Sequence, residues 1–129
     1  MIPVKKLMTK NLVKVDRQQT AQDVAKLMKE KKIGSVLIAE GKEIVGIVTE
    51  TDIVRKVVAE GIDAGSFLVK GIMSAPVYTI DGDKTIFEAG ELMDEKKVRH
   101  LAVTENGEIS GMISVRDIIH PKYYEEESW

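Results

Sequence analysis

Cysteine is absent from the sequence, which excludes disulfides and thiolate metal sites at the outset. Aromatic residues are scarce, at 5% of 129 positions, and Trp129 is the single tryptophan. An excess of one charge is also missing: 19 lysines and arginines stand against 21 aspartates and glutamates, a net charge of −2. Without a concentrated basic face the chain lacks what neutralises a phosphate backbone, so no nucleic-acid partner is expected. Two histidines, His100 and His120, are too few for a histidine-rich metal site, and no metal is expected. The longest apolar run, Val36 to Ala39, falls far short of the roughly 20 residues that span a bilayer. Met1 to Lys6 lacks the apolar core of a signal peptide, and the expectation is a cytoplasmic protein without a membrane partner. What remains is the composition of an ordinary globular protein, 43% hydrophobic and 31% charged.

The dominant positive feature is a repeat. Shifted by 65 positions, residues 4–58 align with 69–123 without a gap, and 16 of the 55 pairs are identical. Leu7-Met8-Thr9 pairs with Ile72-Met73-Ser74, Asp16 with Asp81, Thr20 with Thr85, and Glu30-Lys31-Lys32 with Glu95-Lys96-Lys97. A unit of this size repeated only twice reads as two related subdomains rather than a solenoid.

Each copy yields the same order of elements. In the first, an amphipathic turn at Val4–Met8 precedes an extended piece at Leu12–Val15. Thr20 then reads as an N-cap, with Asp23 closing a capping box, and the apolar spacing predicts a helix over 20–31. Val36–Ala39 and Ile44–Val48 read as strands around the turn Glu40-Gly41-Lys42. Ile53, Val54, Val57 and Val58 have the spacing of an apolar helix face, with Gly61 as its stop. The second copy gives an extended piece at Val77–Ile80, a helix over 85–97 capped by Thr85 and Glu88, and strands at Leu101–Thr104 and Ile109–Ile113. Asn106-Gly107 is the two-residue hairpin signal between those strands, and Pro121 stops the last helix. The expected fold is α/β (α+β), with repeat 1 at residues 1–62, a linker at 63–68, repeat 2 at 69–123 and an acidic tail at 124–129.

The most informative stretch occurs once per copy: Gly46-Ile47-Val48-Thr49-Glu50-Thr51-Asp52 and Gly111-Met112-Ile113-Ser114-Val115-Arg116-Asp117. The glycine is expected to end a strand where a ligand or another backbone comes close. The hydroxyl residue sits at the strand-to-helix turn and the aspartate in the first helical turn. A carboxylate there matches the vicinal hydroxyls of a ribose, while the hydroxyl and helix-start amides favour an anion. Together they suggest a nucleotide. The same residues are also capping boxes, which need no ligand.

With these motifs the chain resembles a tandem pair of cystathionine-β-synthase (CBS) domains. Met8-Thr9, Met73-Ser74, the helices at Thr20 and Thr85, and the closing GIVTETD and GMISVRD carry the resemblance across residues 4–123. It implies two βαββα repeats packed through their sheets with pseudo-twofold symmetry. It also implies clefts for AMP, ADP, ATP or S-adenosylmethionine, with no cofactor required. By the same resemblance, Asp52 and Asp117 hold ribose, and Thr49 and Ser114 contact ribose or phosphate. Arg99 and Arg116 reach phosphate in the second copy, where Gly34 stands opposite Arg99 and offers no charge. Leu12, Val13 and Ile47 in the first copy, and Val77, Tyr78 and Met112 in the second, line adenine.

The function this implies is a regulatory module sensing adenine nucleotides, working as a homodimer and acting on a regulated protein partner. The alternatives are an interaction and dimerisation module without ligand, or a sensor of S-adenosylmethionine. No nucleophile–base pair, G-x-x-x-x-G-K loop or metal cluster is visible, so no catalytic residue and no enzyme are expected.

Overall fold

The computed structural model of the chain describes residues 1–119; the expectations placed on His120, Pro121 and the tail 124–129 lie outside the described residues. The fold is mixed α+β, with two three-stranded sheets. In the first sheet β1 (Lys14–Asp16) runs parallel to β2 (Ser35–Glu40), and β2 pairs antiparallel with β3 (Glu43–Thr49). The second sheet repeats this order with β4 (Thr79–Asp81), β5 (His100–Glu105) and β6 (Glu108–Ser114). Helix α1 (Ala21–Lys31) joins β1 to β2, and α3 (Ile86–Lys96) joins β4 to β5. The short helices α2 (Glu50–Ile53) and α4 (Val115–Ile119) follow β3 and β6.

The long helices start where their caps dictate. The Thr20 hydroxyl accepts the Asp23 amide at 3.1 Å, and the Asp23 carboxylate accepts the Thr20 amide at the same distance. Those bonds hold the Asp23 carboxyl below its ordinary value. Thr85 and Glu88 repeat the arrangement. Ala21, Val24 and Met28 on α1, and Ile86, Ala89 and Met93 on α3, are buried at helical spacing against their own sheet. Fully burying a side chain of the Val or Met class contributes roughly 1.5–3 kcal/mol, so these faces fix the helices more firmly than their caps. Asn106 and Gly107 take φ of 54° and 81°, the left-handed pair that a type I′ hairpin requires.

Two compact units emerge, and each recruits the lead-in of the other sequence repeat. One unit is Val13–Val77; the other joins residues 1–12 to the described residues from Tyr78 onward. In the first, Val69 and Ile72 enter the core beneath β1–β3. In the second, Val4 is fully buried beneath β4–β6. Each lead-in also forms a bridge along the outer edge of its sheet. Ser74 and Ile47 exchange amide-to-carbonyl bonds of 2.8 and 3.0 Å, and Thr9 and Met112 do the same. Compact units and sequence repeats are therefore offset by one lead-in segment.

This edge pairing explains the motif glycines. Gly46 and Gly111 do not end strands, as the sequence suggested; they lie inside β3 and β6, which continue to Thr49 and Ser114. A Cβ on Gly46 would lie 2.7 Å from Met73 Sδ and 3.1 Å from the Ser74 carbonyl. On Gly111 it would lie 2.6 Å from Met8 Sδ and 2.9 Å from the Thr9 carbonyl. The close approach is by backbone, and Met8-Thr9 and Met73-Ser74 are the segments that make it. Beside each glycine the register slips, at Ile38/Ala39 and at Val103/Thr104, a bulge absent from the sequence expectation.

The helix after Asp52 departs from the expected single apolar face. It changes after Ile53 into a π-helical segment, Val54–Val58, closed by an Ala59 amide to Val54 carbonyl bond of 2.9 Å. The wider turn buries Val57 but leaves Val54 and Val58 58% and 68% exposed.

Substitution of the two helix and strand glycines tests this packing. Gly111→Ala is expected to lower stability by about 1–3 kcal/mol through overpacking against a fixed carbonyl. Gly90→Ala, whose Cβ would meet nothing within 4 Å on α3, is expected to raise it by about 0.5–1 kcal/mol. Urea unfolding midpoints of the two variants should move in opposite directions.

Candidate functional site

The two copies of the motif build the same local object. Thr49 is the last residue of β3 and the N-cap of α2. Its amide donates to Asp52 Oδ2 at 2.9 Å, its hydroxyl donates to the same oxygen at 3.2 Å, and the Asp52 amide donates back to the hydroxyl at 3.3 Å. In the second copy the Ser114 amide and hydroxyl donate to Asp117 Oδ2 at 2.8 and 3.2 Å, and the Asp117 amide returns a bond of 3.4 Å. One carboxylate oxygen is thus committed to the cap in each copy. A carboxylate offers about four acceptor positions over its two oxygens, so the cap alone leaves Oδ1 available.

The copies differ at that second oxygen. Asp52 is buried, 8% exposed, and its Oδ1 forms an ion pair with Lys56 Nζ at 3.1 Å. The same ammonium donates to the Ile72 carbonyl at 3.0 Å, so it is held from two sides. Asp117 is half-buried, and among the described residues no cation pairs with it. Shifted by 65, Lys56 corresponds to Pro121, which has no side-chain donor. A second difference lies beside the helix start. The Glu50 amide donates to the Gly34 carbonyl, and the Glu50 carboxylate lies so close to Gly34 that a Cβ there would collide with it. In the second copy the equivalent bond runs from the Val115 amide to the carbonyl of Arg99. The first copy therefore carries Gly34 and Glu50 where the second carries Arg99 and Val115.

The other predicted site residues are placed as follows. Leu12, Val13, Ile47, Val77, Tyr78 and Met112 are all half-buried. Val13 and Tyr78 pack against the helix-side cores of their units. Ile47 and Met112 alternate with the core residues Gly46, Val48, Gly111 and Ile113, so they point to the opposite face of each sheet. Their amides and carbonyls are spent on the lead-in bridges, and the carbonyls of Val13 and Tyr78 accept the amides of Leu37 and Ala102. At Ile47 and Met112, therefore, side chains rather than backbone groups are what is left to offer. Lys96 Nζ sits 5.3 Å from the centre of the Tyr78 ring, a cation–π contact. Leu12 belongs to the unit that contains Tyr78 and Met112, and Val77 to the one that contains Val13 and Ile47.

Arg99 and Arg116 are exposed. Arg99 lines a concavity of about 420 Å³ with Met93, Asp94, Val98, Val115 and Ile118, between α3 and α4. Ser114, Asp117, Tyr78 and Met112 are not among its lining residues. His100 pairs in register with Ser114, as Ser35 does with Thr49, placing it one strand from the motif hydroxyl. Among the described residues no group of three or more His, Asp or Glu could hold a metal, and no helix is long and apolar enough to cross a membrane.

Sequence reasoning missed Lys56 and Glu50. An aspartate four residues before a lysine on a helix is a readable pairing signal. The mismatch of Lys56 with Pro121, and of Gly34 with Arg99, is visible in the aligned repeats.

Comparison with known proteins agrees with this architecture. The sequence matches the CBS domain family over residues 4–59 and 69–121. It is 39% identical over 108 residues to an uncharacterised protein of Methanopyrus kandleri, covering 82% of this chain and 55% of that one, so it spans about half that relative's length. The fold superimposes on a hexameric CBS-CP12 protein from bloom-forming cyanobacteria with a TM-score of 0.88 and 32% identity, over 100% of this chain and 76% of the other. It also superimposes on a CBS domain protein from Pyrobaculum aerophilum complexed with AMP, with a TM-score of 0.81 and 26% identity, over 98% and 97% of the two chains. The chain belongs to the CBS domain family and carries two copies of the domain.

Removing the cap hydroxyls tests how much the motif contributes to folding alone. Thr49→Ala and Ser114→Ala are each expected to cost about 0.5–2 kcal/mol in thermal or urea unfolding, as at other N-caps.

Proposed function

We propose that this tandem CBS module is a regulatory binder of adenine nucleotides, AMP, ADP or ATP, without chemistry of its own. The observation that carries the proposal is the Asp117 carboxylate. Its Oδ2 is locked by Ser114, and its Oδ1 has no cation on it among the described residues. A carboxylate fixed by one oxygen and open at the other suits the two hydroxyls of a ribose, because binding requires little reordering of the acceptor. Arg99, whose carbonyl receives the Val115 amide beside the motif, supplies a guanidinium for phosphate. The AMP bound by the Pyrobaculum aerophilum protein supports the ligand class.

In this reading Ser114 and Asp117 serve ribose and the adjoining phosphate, with Arg99 and Arg116 as the phosphate cations, and Thr49 and Asp52 are their counterparts in the weaker first copy. Leu12, Val13, Ile47, Val77, Tyr78 and Met112 supply apolar side chains to adenine. A nucleotide regulates only by binding two states of the module unequally, and the recipient of that difference is a protein partner in the cytoplasm. The module works as a homodimer.

A second reading has its own observation. Both capping boxes are complete as they stand, so the motif can be fully used as helix start in an interaction module that binds no ligand.

Calorimetric titration with AMP, ADP, ATP and S-adenosylmethionine separates the readings. The proposal expects at least one adenine nucleotide to bind, and Asp117→Ala to abolish that binding while the circular dichroism spectrum is retained. A folded protein that binds none of the four would leave the interaction module as the better account.

A further inference from the structure

We infer that Lys56 is a specificity-determining residue: its ammonium occupies the ribose-accepting oxygen of Asp52 and restricts nucleotide binding to the Asp117 copy. The inference rests on the reading of both aspartates as ribose acceptors and adds a reason why they are unequal. After the cap has taken Oδ2, a ribose diol must use Oδ1 of each aspartate. At Asp52, a residue only 8% exposed, that oxygen is ion-paired with Lys56 Nζ at 3.1 Å. The Lys56 side chain is 45% exposed, and its ammonium is anchored a second time by donating to the Ile72 carbonyl at 3.0 Å.

The position of Lys56 follows from the irregular helix. It lies in the π segment Val54–Val58, where the backbone widens after α2, four residues beyond Asp52. From there its ammonium reaches both the Asp52 carboxylate and the lead-in carbonyl of Ile72. In the second copy the corresponding residue is Pro121, which can supply neither bond. A diol arriving at Asp52 would have to displace an ion pair, whereas at Asp117 no described residue needs displacing. Glu50, held against Gly34, adds a second carboxylate in the first turn of α2 and makes a phosphate there still less welcome.

The test is equilibrium titration of the whole chain with adenosine, which carries the diol without phosphate charge, and with AMP. Wild type is expected to bind one equivalent, at Asp117. Lys56→Met keeps the aliphatic stem and removes the charge. It is expected to bind a second equivalent of adenosine or AMP, at least tenfold tighter than any binding at Asp52 in wild type. Lys56→Met with Asp117→Ala should then bind one equivalent, and Lys56→Arg, which restores the ion pair, should return to one. Wild type already binding two equivalents, or Lys56→Met remaining at one, would overturn the inference while leaving nucleotide binding intact. Weaker binding in Lys56→Met would also overturn it and make Lys56 a ligand contact. No binding to wild type or to Lys56→Met would overturn the inference together with the proposed function.

Discussion

An aspartate that reaches back three residues to the amide at the end of its own strand is the interaction on which the rest of this structure depends. The bonds from the Thr49 amide to Asp52 and from the Ser114 amide to Asp117 measure 2.9 and 2.8 Å. They stop a strand, start a helix and leave a carboxylate with one oxygen anchored and the other pointing away from the cap. Fold and candidate site are therefore built from the same atoms. A cap and a ribose acceptor make compatible demands, since a carboxylate has acceptor positions for both.

Duplication gives that device twice, and the copies diverge around its glycine, hydroxyl and aspartate. Glycine, hydroxyl and aspartate recur, as do the edge bridge, the bulge and the two capped helices. The changes are in charge: Gly34 against Arg99, and Lys56 against Pro121. In the first copy an acidic site is neutralised by its own lysine. In the second, the acidic group stands beside an arginine-bearing segment. Such differences alter what each copy can hold, a distinction between fold and function that individual side chains express.

Much of this was legible in the chain itself because the signals are local. Thr20 with Asp23 and Thr85 with Glu88 place the helix starts within a residue, since a cap is defined by a hydroxyl and a carboxylate three positions apart. Asn106-Gly107 fixes its hairpin because few residues tolerate two successive left-handed conformations. The less legible features depend on contacts distant in sequence. Nothing near Gly46 announces that Met73-Ser74 will run against it, so the backbone that the glycine admits is not readable from its neighbours. The π segment is equally silent, because Val54 and Val58 have the spacing of a buried face and are left exposed by a change in helix winding. Lys56 lay between these cases. Its spacing from Asp52 is readable, but its second anchor, the Ile72 carbonyl, required the fold.

The central claim is that Asp117 accepts ribose with Oδ1 while Oδ2 keeps its cap. A crystal structure of the chain grown with AMP tests it most directly. The account predicts both ribose hydroxyls within hydrogen-bond distance of Asp117 Oδ1, with the Ser114 amide still on Oδ2. A nucleotide seated away from Asp117, or one that breaks the Ser114 cap to bind, would contradict it.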